Sequence, residues 1–243
     1  MKVNPWEIPR LWEGGTAFII GGGLSMPRLF GVPEKLIKKV CDQQEPASVY
    51  SDYYKPLHDR HVIGINNAYK LGSWIDFLLF VDGSWFQAHL KGLERVKSVK
   101  VSCCNKFEES QYKQGLHVKY AARDQSKKYG LSDAKRKLVW NGNGGGAAID
   151  LAVHLGALNI VLFGLDMKSG QISGKEVSHW HGAHYEKFKD PQMIKRPNYN
   201  KHLQCFKPIK RDAKAKCVRI YNCSPDSAID CFEKVSLEEA LKI

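Results

Sequence analysis

The sequence predicts an α/β fold, a Rossmann-like, mostly parallel sheet with helices on both faces and a long lid-like loop. Three observations carry this expectation. Short apolar runs recur along the chain, each is cut off by glycines or polar residues, and stretches of helical spacing lie between them. Runs that are apolar throughout, without alternation, suit strands covered on both faces, as in a parallel sheet.

The first strand is Thr16–Ile20 (TAFII), which stops at Gly21, Gly22 and Gly23. Ser25 follows, and after a break at Pro33 a helix is expected through Val40. The polar stretch 42–59 reads as a loop or mobile insertion. His61–Ile65 (HVIGI) is a second strand ending at Asn66-Asn67, and 76–81 (DFLLFV) a third ending at Asp82-Gly83. Residues 99–103 form a weaker fourth. Small and apolar residues at helical spacing over 144–155 follow the loop Asn141-Gly142-Asn143-Gly144-Gly145-Gly146. Asn159–Phe163 (NIVLF) is the clearest strand and ends at Gly164-Leu165-Asp166. Residues 167–197 have no sustained period and read as a lid insertion. A basic-faced helix is expected over 198–216, a last strand over 218–221, and a short closing helix over 237–241. There is no internal repeat, and the 243 residues are expected to form a single domain.

A hydrophobic fraction of 43% excludes a disordered chain and allows a core without disulfides or metal. No apolar run reaches the roughly 18 residues of a membrane span, and the N-terminus lacks a secretory pattern. The seven cysteines include no C-x-x-C pair, which suits reduced thiols in a cytoplasmic protein. The net charge of +12 should attract polyanions such as nucleic acid, anionic lipid or phosphorylated small molecules. The densest stripe is KPIKRDAKAK, so Lys207, Lys210, Arg211, Lys214 and Lys216 are candidate nucleic-acid contacts, against the alternative of a solvated helix face.

In a parallel sheet the ligand sits beyond the carboxyl ends of the strands, and the unusual clusters of this chain fall there. Glycines at 21–23 let backbone amides approach a phosphate at a helix start, unless they are only a tight turn. Neither G-x-G-x-x-G nor a P-loop is present. Asn143, Gly144 and Gly145 open a second helix in the same way, and the two loops together can embrace one phosphate chain. Asn66 and Asn67 offer donor and acceptor to a base or ribose, or cap a helix. Asp82 and Asp166 can bind a ribose hydroxyl, Mg²⁺ or an acceptor hydroxyl, or can cap a turn. With no D-x-D pair, a metal is not implied. Asn222 and Ser224 contact a ligand or cap the segment that follows.

The most distinctive stretch is Ser178-His179-Trp180-His181-Gly182-Ala183-His184-Tyr185, with three histidines in six residues. Imidazole can accept a proton from an attacking hydroxyl, and Trp180 can stack on a base or sugar. H-x-H-x-x-H is also a zinc pattern, but no Cys or Asp within the cluster completes such a site. The remaining alternative is a solvent-facing loop.

The order of these pieces resembles the bacterial lipooligosaccharide sialyltransferases. It is equally similar to the Rossmann-like domain of 6-hydroxymethylpterin diphosphokinases and its phage-encoded relatives. The motifs are G-x-G-x-S after the first strand, an Asn after the second, a glycine-rich helix start, L-G-x-x-x-I-x-L-x-G-x-D, an S-H-x-x-G-H-like cluster and a terminal N-x-S turn, spanning roughly residues 16–230. The resemblance implies that Gly21, Gly23, Ser25, Asn66, Asn143, Gly144 and Gly145 line a nucleotide pocket. It implies a histidine general base, with His179 and His184 both in frame and His181 extra. The chain departs from the pattern at Leu24, where a Pro is usual, and at Met167-Lys168-Ser169-Gly170, where the sialyltransferases have a tyrosine pair. Lys168 or Lys175 can take over the leaving phosphate by charge, with a donor that can then differ from a sialic-acid nucleotide.

The leading expectation is therefore a metal-independent glycosyltransferase using a nucleotide-sugar donor, its acceptor a hydroxymethylated base in phage DNA or another polyanion. One alternative is a Mg²⁺-dependent diphosphotransferase acting on a hydroxymethyl compound, with the metal on Asp82 or Asp166. The other is a non-catalytic nucleotide-binding protein.

Overall fold

The computed structural model describes residues 4–104, 116–182 and 197–243. Among them, strands β1 (Thr16–Ile20), β2 (His61–Ile65), β3 (Phe77–Phe80), β4 (Val99–Ser102), β5 (Lys119–Tyr120), β8 (Asn159–Phe163), β11 (Arg219–Asn222) and β12 (Glu233–Lys234) form one sheet. Its order is β12-β11-β8-β1-β2-β3-β4-β5, and every pairing within it is parallel. The short strands β6 (Ala122–Arg123) and β7 (Lys137–Leu138) pair separately.

The chain begins at the centre of the sheet, builds outwards through β5, and returns to lay β8 on the other flank of β1. The order thus reverses between β1 and β8, which opens a crevice at their carboxyl ends. Alternate residues of β1 serve two cores. Ala17 and Ile19 pack on one face with α4 (Gly144–His154) and α6 (Phe206–Ala215), while Phe18 and Ile20 pack on the other with α2 (Glu34–Cys41). A strand apolar on both sides is what the TAFII run specifies.

Several expectations are corrected. Residues 42–59 are not a loose insertion, because a 3-10 helix over Ala47–Leu57 buries Tyr50, Tyr54 and Leu57 completely. Those three side chains wall the second core among polar neighbours, which masked them. Helix α3 (Gly83–Leu93) was not legible, although it buries Trp85, Phe86 and Leu93 beneath β3. The expected helix over 198–216 is two, α5 (Tyr199–Leu203) and α6. The lid region begins as a hairpin of β9 (Gly170–Ile172) and β10 (Lys175–Val177), turning at Ser173-Gly174 with φ of 50° and 76°. Two left-handed residues in a row suit a two-residue hairpin turn. Residues 183–196, including His184, lie outside the described residues.

No helix among the described residues is long and apolar enough to cross a membrane. All seven cysteines are unpaired, and burial pushes the thiols of Cys103 and Cys205 up to about 12. Neither is poised as a nucleophile.

Candidate active site at the strand switch point

A cleft of about 250 Å³ opens beyond the carboxyl ends of β1 and β8, lined by glycines 21–23, Asn66, Asn143, Gly144, Gly145, Asp166, Lys168, Ser178, His179, Tyr199 and His202 among others. The two glycine loops, Asn66, Asp166, Lys168 and His179 are brought together here as the sequence predicts. Asn222, Ser224, Asp82 and His181 are not among the lining residues.

The first glycine loop is explained by its neighbours. A Cβ on Gly21 would stand 2.5 Å from the carbonyl oxygen of Gly164, and one on Gly22 would stand 2.8 Å from Nδ1 of His179. A Cβ on Gly23 would collide with the carboxylate of Asp166. That carboxylate accepts the backbone N–H of Ser25 at 3.0 Å and also the Ser25 hydroxyl. The start of α1 (Ser25–Leu29) is therefore already capped by a negative charge, and a phosphate there would be repelled. Ser25, which the resemblance puts in the nucleotide pocket, is held by Asp166 and is not among the lining residues of this cleft.

The rest of that network is scaffold. Ser224 Oγ lies 2.9 Å from Ser25 Oγ and accepts the Gly164 N–H at 3.0 Å. Asn222 is fully buried, accepting the Ser224 N–H at 3.0 Å and donating to the Ile229 carbonyl at 3.3 Å. Ligand contact and capping were both open for these two residues; neither lines the cleft, and both help fix the loop that carries Asp166. Asp82 caps α3 by accepting the Ser84 N–H at 2.9 Å, so it too is structural.

The second glycine loop is the open one. Asn143 Oδ1 accepts the Gly146 N–H at 2.9 Å, and its Nδ2 donates to the carbonyls of Asn141 and His202. The amides of Gly144 and Gly145, at the first two positions of α4, have no acceptor within the helix. They line the cleft at the positive end of an 11-residue helix, the geometry of an anion cradle. A Cβ on Gly144 would press on Ile65 at 2.7 Å, and one on Gly145 on Leu165 at 2.7 Å. Lys168 adds an exposed cation.

Asn66 takes φ of 50°, a conformation asparagine tolerates, and its buried Oδ1 has no hydrogen-bond partner. A buried acceptor with no protein partner beside a cleft can take a donor from a water or from a ligand.

The histidine cluster is held by its tryptophan. Trp180 is fully buried, its backbone N–H donating to the Gly22 carbonyl at 2.8 Å and its Nε1–H to the Gly21 carbonyl at 2.9 Å. It therefore does not stack on a ligand. This anchor sets the His179 ring against Gly22, inside the cleft. His181 is buried behind it.

Tyr199 and His202, spaced i, i+3 on α5, also line the cleft and were not singled out from the sequence. The Tyr199 hydroxyl is buried near Ser169 and Ser178 with no partner in hydrogen-bond geometry, and burial pushes its pKa up. Burial and Lys201 push the pKa of His202 down, which favours its uncharged form. The Asn198 cap and the helical spacing were the available signals, hidden because α5 is only one turn of the expected longer helix. Among the described residues no three His, Cys, Asp or Glu side chains gather as a metal site.

No family model and no curated protein matches the chain. Among solved structures it is similar to the MAf glycosyltransferase from Magnetospirillum magneticum AMB-1, with a TM-score of 0.58 at 16% identity over 96% of this chain. The chain spans 36% of that protein's length. Matches also reach the sialyltransferase CstII from Campylobacter jejuni, solved with cytidine-5'-monophosphate, with a TM-score of 0.45 at 14% identity over 91% of this chain and 84% of that one. The first of these likenesses establishes a shared fold.

Proposed function

We propose that this chain is a glycosyltransferase that moves a sugar from a nucleotide donor to an acceptor hydroxyl, with His179 as general base. One juxtaposition carries the reading. An imidazole packed on Gly22 shares a cleft with two open helix-start amides and an orphaned asparagine oxygen. The fold shared with a glycosyltransferase and the motif order support it.

In this reading the acceptor oxygen attacks the anomeric carbon while His179 takes its proton. The bond between that carbon and the donor phosphate breaks, and the phosphate leaves with the electron pair. Gly144, Gly145 and Lys168 meet the developing negative charge, and Asn66 binds the nucleoside. The diphosphotransferase reading fares less well, because Asp166 is committed to Ser25 and Asp82 to Ser84.

A panel of nucleotides and nucleotide sugars, with and without EDTA, tests this by thermal shift. The right ligand at about 100 times its Kd should stabilise the fold by about 2.7 kcal/mol. Gly144→Ala should remove most of that shift. Binding lost with EDTA would favour diphosphate transfer, and binding without turnover a nucleotide-binding protein. No shift with any nucleotide would end the proposal.

The acceptor side follows the charge. Helix α6 starts beside the cleft, where Asn143 Nδ2 donates to Cys205 Sγ at 3.2 Å, and its ten residues run roughly 15 Å to the start of β11. Arg211 is paired with Asp212, and Lys216 with Asp133, whereas Lys207, Lys210 and Lys214 are exposed with no ion-pair partner among the described residues. That track suits a polyanionic acceptor, for which DNA with hydroxymethylated bases is our candidate. Duplex binding should weaken steeply with salt, and replacing the three lysines by alanine should lower the slope of log K against log salt by about 3. A shallow slope in the unaltered protein removes DNA.

A further inference from the structure

Behind the cleft-facing histidine lies a hydrogen-bond relay with a fixed polarity. Trp85 Nε1 stands 2.7 Å from Asn67 Oδ1, and Asn67 Nδ2 stands 3.3 Å from Nδ1 of His181. An indole N–H can only donate, so the amide oxygen of Asn67 must face Trp85 and its NH₂ must face the imidazole. A nitrogen that accepts from that NH₂ carries no proton of its own. All three side chains are buried, with Asn67 at 1%, Trp85 at 2% and His181 at 6% exposure. The His181 ring stacks on His179, with centroids 5.0 Å apart and planes 14° from parallel. Its backbone carbonyl is clamped by Gln43 Nε2 at 3.0 Å.

We propose that His181 is a positioning residue, held by Trp85 and Asn67 as the neutral Nε2–H tautomer, and that its uncharged ring orients His179 and leaves it free to take up a proton. This rests on His179 being the general base. As His179 becomes an imidazolium, a neutral aromatic face above it is favourable, whereas a charged one would oppose it. Two of the titratable groups bordering the pair are neutral. Cys41 of α2 donates to the Trp180 carbonyl at 3.3 Å and stays a thiol, pushed up to about 11 by burial. Tyr50 of the 3-10 helix, 3.5 Å from the same carbonyl, is pushed up by burial as well and stays a phenol. Asp166 and Lys168 border the cleft beside His179, and His89 of α3 stacks on the far side of Trp85 at 4.3 Å. The sequence offers His181 as one more candidate base, and the relay assigns it a different task.

The test is imidazole nitrogen NMR on the full chain labelled with ¹⁵N-histidine, His181 being assigned with the His181→Gln variant. The unaltered protein should show His181 as the Nε2–H tautomer, uncharged at neutral pH. Asn67→Asp keeps the shape and the Trp85 bond but turns an acceptor towards Nδ1, so the ring should gain a proton there. Turnover should then fall about 10–100-fold, the size of effect expected for a partner that orients a reactive histidine, with KM for the donor unchanged. An Nδ1–H or charged His181 in the unaltered protein overturns the proposal. So does an Asn67→Asp variant whose tautomer switches while turnover stays full. If the tautomers are as expected but His179→Ala remains fully active, the general-base reading and the link to His179 fail together, while the relay itself stands.

Discussion

His179→Ala is expected to lower turnover by about 10²–10⁴-fold while nucleotide binding persists, because general-base assistance contributes that much and the anion cradle lies on other elements. The motif spacing cannot separate His179 from His184. The structure does place His179, with its Nδ1 where a Cβ on Gly22 would clash. Removing the imidazole leaves Gly144, Gly145 and Asn66 in place, so the thermal shift given by the donor should be close to that of the unaltered chain. Steady-state kinetics of His179→Ala and His184→Ala, side by side, check this. Undiminished turnover in His179→Ala would exclude it as base, and a collapse in His184→Ala alone would transfer the role.

The strands were legible because TAFII, HVIGI and NIVLF are apolar on both faces, and a strand covered by helices on both sides needs that. Their order in the sheet was not, since nothing local says that β8 returns beside β1. The glycine cluster at 21–23 does line the cleft, and its packing gives the glycines a cause the local sequence does not show. Its glycines make room for Gly164, His179 and Asp166, chain-distant groups that the local sequence does not reveal. Ser25 and Ser224 are likewise held by chain-distant partners, Asp166 and Gly164. A polar residue at a strand end looks the same whether its partner is a ligand or an aspartate 141 residues away. Tyr50 and Tyr54 were hidden by polar neighbours, and Trp85 and Phe86 by a helix too mixed in composition to show its period. What remained readable was the histidine cluster around Trp180, of which His179 lines the cleft and His181 is buried behind it.

Trp180→Ala should be among the most destabilising single changes, costing about 3–5 kcal/mol as a buried tryptophan truncated in a packed core. The ring is fully buried and meets Tyr50 edge-on at 6.0 Å. Its loss also strands the Gly21 carbonyl, which accepts the indole N–H at 2.9 Å. Trp180→Phe separates these contributions, since it keeps most of the apolar volume but leaves that carbonyl without its donor, worth about 1–3 kcal/mol when a buried group goes unsatisfied. Urea denaturation of both variants measures the order. Activity should fall as well, and further than stability alone explains, because the tryptophan ties the histidine segment to the glycine loop through Gly21 and Gly22. A tryptophan that stacked on a bound base would behave in the opposite way, weakening nucleotide binding while barely moving the urea midpoint. That pattern in Trp180→Ala would detach the histidine segment from the end of β1 and with it the placement of His179 in the cleft.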